Sequence, residues 1–160
     1  MHRYPSNPQR FLRLMRYYPP FFIQRVIPLS ISEDCLTLHV KIRRSLLTQN
    51  LWKSTFGGTL LAAIDPWYAL LIWQRCRQEN IPIEMWVERV ELQFLRPGRA
   101  DMYFTCHIPP EMWASIRSTL LSRSKGRYTF PIHIYLGEGT LCAQGEQTVY
   151  LRHPEWRPNT

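Results

Sequence analysis

The sequence predicts an α+β domain in which a curved antiparallel sheet, of about five to six strands, wraps around one long central helix. Three observations carry that prediction. The stretch from Gly57 to Gln78 is apolar on nearly every side, and a helix with no polar face has to be enclosed by other structure. A segment ahead of it and several behind it alternate apolar and polar residues with the period of a half-buried strand. The later segments are joined by short turns, which make successive strands antiparallel neighbours.

A chain of 160 residues is the size of one domain and can bury roughly 70% of its unfolded surface without staples. Residues 1–160 read as a single domain, with an N-terminal helix and Pro-Pro turn over 1–22 and a loose tail over 154–160. Cys35, Cys76, Cys106 and Cys142 are far apart, form no C-x-x-C pair and have no histidine set to complete a zinc site. That usage suits a reducing cytoplasm and predicts no metal. The net charge of +8 admits a nucleic acid, an anionic membrane surface, an acidic protein or a phosphorylated small molecule, and does not choose among them. The basic residues are scattered over several strands without a recognition motif, which ranks nucleic acid low. The apolar run Leu60 to Trp73 is interrupted by Asp65 and Pro66 and falls short of the roughly 20 residues that span a bilayer, so no integral membrane segment is predicted.

The first 32 residues hold five arginines and no acid, but lack the long apolar segment and small-residue cleavage site of a secretory signal. From Arg10 to Tyr18 a helix would place Phe11, Leu12, Met15 and Tyr18 on one side. It reads either as a basic targeting or membrane-surface segment or as a plain helix covering the domain's end. Tyr18-Pro19-Pro20-Phe21 ends it, because proline removes a donor and restricts the residue before it, and a turn is expected next. From Leu36 to Arg43, apolar Leu36, Leu38, Val40 and Ile42 alternate with polar neighbours as a strand.

After the central helix, Trp86 to Phe94 places Val90, Leu92 and Phe94 on one face, and Arg96-Pro97-Gly98-Arg99 turns the chain. Met102 to Ile108 alternates again. Glu111 to Ser122 reads as a short helix with Trp113, Ile116 and Leu120 inward, followed by strands over Tyr128 to Leu136 and about Thr140 to Arg152. Pro131 predicts an edge or a bulge in its strand.

The block Asn50 to Asp65 carries the chemistry. Gly57 and Gly58 allow a close approach to the backbone, and a helix starting there leaves its first N–H groups free to polarise a carbonyl. Asp65 lies about 12 Å further along the axis, so the two groups of one molecule do not converge on one atom. Two molecules with antiparallel helices could bring them together, which makes a homo-oligomer part of the expectation. Asp65-Pro66 also has a plainer reading, as the cap and first residue of a separate helix; the alternative is one helix kinked at Pro66, where the bond to the Ala62 carbonyl is lost. Asn50 alone is an ordinary turn residue, Thr59 an ordinary first-turn threonine, and His39, His107 and His133 occupy the polar register of strands. No G-x-S-x-G elbow is present.

Four stretches, Tyr18-Pro19-Pro20-Phe21, the Asn50 to Asp65 block with Phe56-Gly57-Gly58, Asp65-Pro66-Trp67-Tyr68, and Phe94-Leu95-Arg96-Pro97-Gly98, resemble the hot-dog fold, in which such a sheet wraps a central helix. The chain is most similar to bacterial thioesterase-like domains of mostly unassigned function, close to the phenylacetyl-CoA type of acyl-CoA thioesterase. The resemblance implies hydrolysis of an acyl thioester of coenzyme A or of acyl carrier protein by a homodimer or dimer of dimers, with no cofactor beyond the coenzyme A of the substrate. It implies that the Gly57 N–H meets the thioester carbonyl, that Asp65 acts from the neighbouring subunit as general base or nucleophile, and that Asn50 places substrate or water. A histidine commonly precedes the glycine pair in that type, where this chain has Phe56. Phe56 at that position, Gly58 through its open backbone and Thr59 through its first-turn hydroxyl are the further candidates for substrate contact. Arg96, Arg99, Lys125 and Arg127, at strand ends, are candidates for the coenzyme phosphates. A non-catalytic acyl-binding module is the rival reading.

Overall fold

Two proline-led helices open the chain. The computed structural model describes residues 5–157. The side chain of Asn7 accepts from the Arg10 N–H at 3.0 Å and caps α1 (Pro8–Arg16), whose Phe11, Leu12 and Met15 are buried. The proline pair ends α1 as expected, but it then starts α2 (Pro19–Gln24) where a turn was expected. The reason is local: a first helical residue needs no N–H, and proline's fixed φ already suits it. Phe21 of α2 stacks on Trp67 at 4.5 Å between ring centroids, and α1 lies over β1 (Val26–Ile31). The N-terminal helix therefore covers the domain's end.

β1 has no counterpart in the alternation pattern, because Pro28 and a bulge between Pro28 and Ser30 break its period. It pairs with β2 (Thr37–Ile42). The central helix follows as two pieces, α3 (Gly57–Ile64) and α4 (Trp67–Gln78). Then come β3 (Glu84–Phe94), β4 (Met102–His107), α5 (Pro110–Leu121), β5 (Lys125–Leu136) and β6 (Leu141–Arg152). The strands form one antiparallel sheet in the order β1-β2-β4-β5-β6-β3. Its inner face buries Leu38, Ile42, Met102, Phe130 and Leu151 around Ile64, Trp67, Leu71 and Ile72 of the helix, each contributing about 1.5–3 kcal/mol on full burial.

β5 lies inside the strand order and has no bulge at Pro131, its register shift coming between Ile134 and Tyr135, but at Pro131 it is locally an edge as expected. β4 accompanies β5 only at Tyr135 and Leu136, so Pro131 sits where one side of the strand is open, and its carbonyl accepts from the Tyr68 hydroxyl at 2.8 Å. β3 and β6 approach closely at Gly145, where a Cβ would stand 2.8 Å from the carbonyl carbon of Glu91. Residues 154–157, expected to be loose, are held: Glu155 pairs with Arg123 at 2.9 Å, and Lys125 lies over the Trp156 ring at 4.2 Å. Residues 158–160 lie outside the described residues.

The helix break shows why Asp65 stands where it does. Asp65 and Pro66 keep right-handed helical dihedrals, so the backbone runs on through the joint as a kinked helix, and the Asp65 side chain does not cap the start of α4. Proline removes one rung of the ladder. The Trp67 indole donates to the Ala63 carbonyl at 2.6 Å, and the Gln147 amide donates to the carbonyls of Ile64, at 3.2 Å, and Asp65.

Candidate active site

The kink leaves Asp65 exposed between residues that are buried on either side, Ile64 and Trp67. Its side chain sits on the rim of a cavity of about 680 Å³. Phe11 and Met15 of α1, Tyr18 and Phe21 at α2, Ala69, Leu70 and Trp73 of α4 and the start of β3 make the walls. Among the described residues the only other carboxylate there is Glu84, which is held by Arg152 at 2.7 Å. Packing against these apolar walls penalises the charged form and raises the Asp65 carboxyl above the usual aspartate range. The site therefore offers one free carboxylate, made more basic, beside an apolar chamber.

Gly57 is the first residue of α3. Among the described residues no acceptor lies against the N–H of Gly57 or Gly58. A Cβ on Gly57 would stand 3.2 Å from Cζ of Phe94, so the start of α3 lies beneath the last residue of β3. Asp65 lies by the first residues of that strand. The structure thus places the two groups at opposite ends of β3 and does not bring them together within one chain. Phe56 precedes the helix with its ring exposed and lying over Gly58.

Asn50 and Thr59 are engaged elsewhere. The Asn50 carbonyl accepts from the N–H groups of Trp52 at 3.0 Å and Ser54 at 3.1 Å, and its amide donates to the Ser54 hydroxyl at 2.9 Å, which closes the loop ahead of α3. The Thr59 hydroxyl is buried and donates to Gln24 of α2 at 2.7 Å. That bond ties α2 to α3.

The four basic candidates fall into two groups. Arg96 and Arg99 lie in the loop after β3, which docks beside α3 because the Gly98 carbonyl accepts from the N–H and hydroxyl of Thr55 at 2.8 and 3.1 Å. Lys125 and Arg127 are on β5, level with the Glu84 end of β3 across β6, and Arg127 forms a two-pronged pair with Glu88 at 2.7 and 2.9 Å. Burial pushes the Cys35 thiol up to about 11 and the Cys76 thiol up to about 12, and raises Cys106 and Cys142 as well, so all four stay protonated.

Gln147 is a site residue that the motif does not contain. It is fully buried, and the carbonyl of its side chain has no partner among the described residues. A signal for it exists in the strand itself, since Ala143, Gly145, Gln147, Val149 and Leu151 form the inward register of β6 and only Gln147 is polar.

No family model matches the sequence, and no curated protein matches it. Solved structures share its fold. A protein of unknown function from Chlorobaculum tepidum superposes with a TM-score of 0.76 at 16% identity, covering 92% of this chain and 98% of that one. A thioesterase from Haemophilus influenzae gives 0.69 at 12% identity over 96% and 95%. The PaaI protein of the E. coli phenylacetic acid degradation operon gives 0.64 at 15% identity over 89% and 90%. At such identities the likeness is one of architecture: the chain has the hot-dog fold, in the form also taken by thioesterases.

Proposed function

We propose that this hot-dog domain is a thioester hydrolase for an acyl group carried on coenzyme A or acyl carrier protein, and that two copies of the chain build each site. The observation that carries the reading is Asp65, a free carboxylate of raised basicity at the rim of an apolar cavity that suits an acyl group. The second copy is required by the separation of Asp65 from Gly57. β3 is an edge strand of 11 residues, exposed along its length, and such an edge calls for a partner. Antiparallel pairing of β3 with its twin would set the Glu84 end of one chain against the Phe94 end of the other. That carries the partner's Gly57 toward Asp65.

In the proposed reaction Asp65 takes a proton from water as the oxygen attacks the thioester carbonyl. The oxyanion is held by the N–H of the partner's Gly57. Collapse breaks the carbon–sulfur bond, and the leaving thiolate takes the proton back from Asp65. One preorganised donor is worth about 2.7–4 kcal/mol and a positioned base about 10²–10⁴ in rate, enough for a modest hydrolase. The pairing would also join Arg96 and Arg99 of one chain to Lys125 of the other as a phosphate site. Asn50 acts in this scheme by holding the loop that presents Gly57.

The test is free-thiol release from a panel of acyl-coenzyme A thioesters. Cleavage by the parent and its loss in Asp65→Asn support the reading; no cleavage of any substrate, or equal cleavage by the variant, overturns it. Saturable acyl-coenzyme A binding without turnover would instead mark an acyl-binding module, the outcome that Phe56 in place of histidine favours.

A further inference from the structure

Helix α2 has two unlike faces. Tyr18 and Phe21 line the apolar cavity, whereas Phe22 and Ile23 are 54% and 63% exposed. Tyr17, at the corner between α1 and α2, is 76% exposed, and the 3-10 turn Leu46–Thr48 beside α2 holds Leu46 and Leu47 out at 87% and 72%. Single exposed apolar side chains are ordinary, but large ones gathered at one corner mark a contact surface.

The same corner is basic. A groove of about 220 Å³ is lined by Arg16, Tyr17, Phe22, Arg25 and Arg43, with no carboxylate among the described residues of its walls. The three guanidinium groups come from three places: α1, the end of α2 and the residue after β2. Arg16 is anchored by donating to the carbonyls of Pro28 and Leu29, both at 3.0 Å. Arg25 has φ 58°, uncommon for a non-glycine residue, and lies over the Phe22 ring at 5.4 Å. None of the three forms an ion pair among the described residues. Asp101, the acid whose carboxyl feels Arg43, is taken by Lys41 at 2.6 Å and by the Arg44 N–H at 2.8 Å. From Pro5 to Ser32 there is no acid at all. Like charges that line one groove without an ion-paired acid in its walls repel one another, and an anion removes that cost.

We infer that this corner docks on an anionic phospholipid bilayer. Phe22, Ile23, Leu46 and Leu47 enter the interfacial layer, and the arginine groove takes a lipid phosphate. Charge complementarity selects the anionic surface, and the projecting apolar side chains select a bilayer over a soluble phosphate, which gives them nothing to enter. The apolar face of α1 is not the docking element, because Phe11, Leu12 and Met15 are buried in the core. Phe21 lines both the groove and the apolar cavity, so docking sets that cavity next to a source of acyl chains. The inference stands whether or not the chain hydrolyses thioesters.

Cosedimentation of the full chain tests it, with vesicles of phosphatidylcholine alone and of phosphatidylcholine with phosphatidylglycerol. Binding is expected only to the anionic vesicles, weakening as salt rises. Arg25→Gln with Arg43→Gln should bind about twenty-five-fold more weakly, since each arginine near an anionic surface contributes roughly five-fold. Phe22→Ser with Ile23→Ser should also lose binding while melting like the parent. Arg117→Gln with Arg123→Gln, an equal loss of charge at α5, should bind as the parent does. The inference is overturned if no vesicle binds, or if the α5 variant loses as much as the groove variant. It is overturned equally if Phe22→Ser with Ile23→Ser only lowers the mass seen by light scattering, which would make this a face between copies. Capture of inorganic phosphate or coenzyme A by the groove without vesicle binding would also overturn it.

Discussion

The side-chain amide of Gln147, on the last strand, donates to the main-chain carbonyl of Asp65 and, at 3.2 Å, to that of Ile64. These carbonyls precede Pro66, where the helix ladder is broken. One buried side chain from the sheet thereby holds the joint from which the Asp65 carboxylate projects. Gln147→Leu leaves both carbonyls without that donor, in a buried setting where an unsatisfied group costs about 1–3 kcal/mol. A loss of that size should appear as a lower urea midpoint, together with slower thiol release. A midpoint unchanged from the parent would mean that the joint holds itself.

Ionisation of Asp65 should trade stability against activity. Burial raises its folded-state pKa above the ordinary 3.8, so folding favours the protonated form. Its stabilising contribution is present below the unfolded value and is lost as pH rises through the folded value, leaving the ionised group unfavourable at neutral pH. Asp65→Asn should therefore melt no lower than the parent at neutral pH while hydrolysis falls about 10²–10⁴-fold. Activity of the parent should decline on acidification with a midpoint above 3.8. A variant that melts well below the parent would assign Asp65 a structural role.

Gly57→Pro removes one N–H at the helix position that tolerates proline best, behind a Phe56 that is already extended at φ −61°, ψ 134°. The exposed Phe94 ring has room to yield to the new side chain. Folding should survive while turnover drops about 10²–10³-fold, the usual effect of deleting one oxyanion donor.

Mixing that variant with Asp65→Asn tests the shared site directly. In a mixed dimer one site carries both defects and the other carries neither. An equal mixture, refolded together, should recover roughly a quarter of parental activity, because half the dimers are mixed and each has one intact site of two. No recovery would confine the chemistry to a single chain.

Gly145→Ala would push a methyl onto the Glu91 carbonyl, a main-chain group that cannot rotate away. The strands must part, at a cost of about 1–3 kcal/mol for overpacking. Because β3 is the edge proposed to pair with its twin, the variant should also show a weaker dimer by light scattering.

Most of the sheet is legible along the chain. β2, β3, β4 and β5 announce themselves by alternation, β6 by its place after a glycine turn, and α5 by its Trp113, Ile116 and Leu120 stripe. β1 is not, because Pro28 and its bulge interrupt the period, and α2 is not, because a proline pair ends one helix and begins another with equal ease. The glycine pair and Asp65 are marked by their spacing. The partner of the Thr59 hydroxyl is not legible, since Gln24 lies 35 positions away.

By itself the sequence determined the periodic elements, the enclosed helix, the proline that must break it and the acid beside that proline. Each follows from side chains a few residues apart, where backbone geometry is the only unknown. Tertiary structure alone decided that Gln147 secures the joint, that Asp65 opens on an apolar cavity roofed by α1 and α2, and that Arg16, Arg25 and Arg43 line one groove. Those meetings depend on how the sheet curls around the helix, a consequence of packing many distant residues at once, which no local pattern encodes.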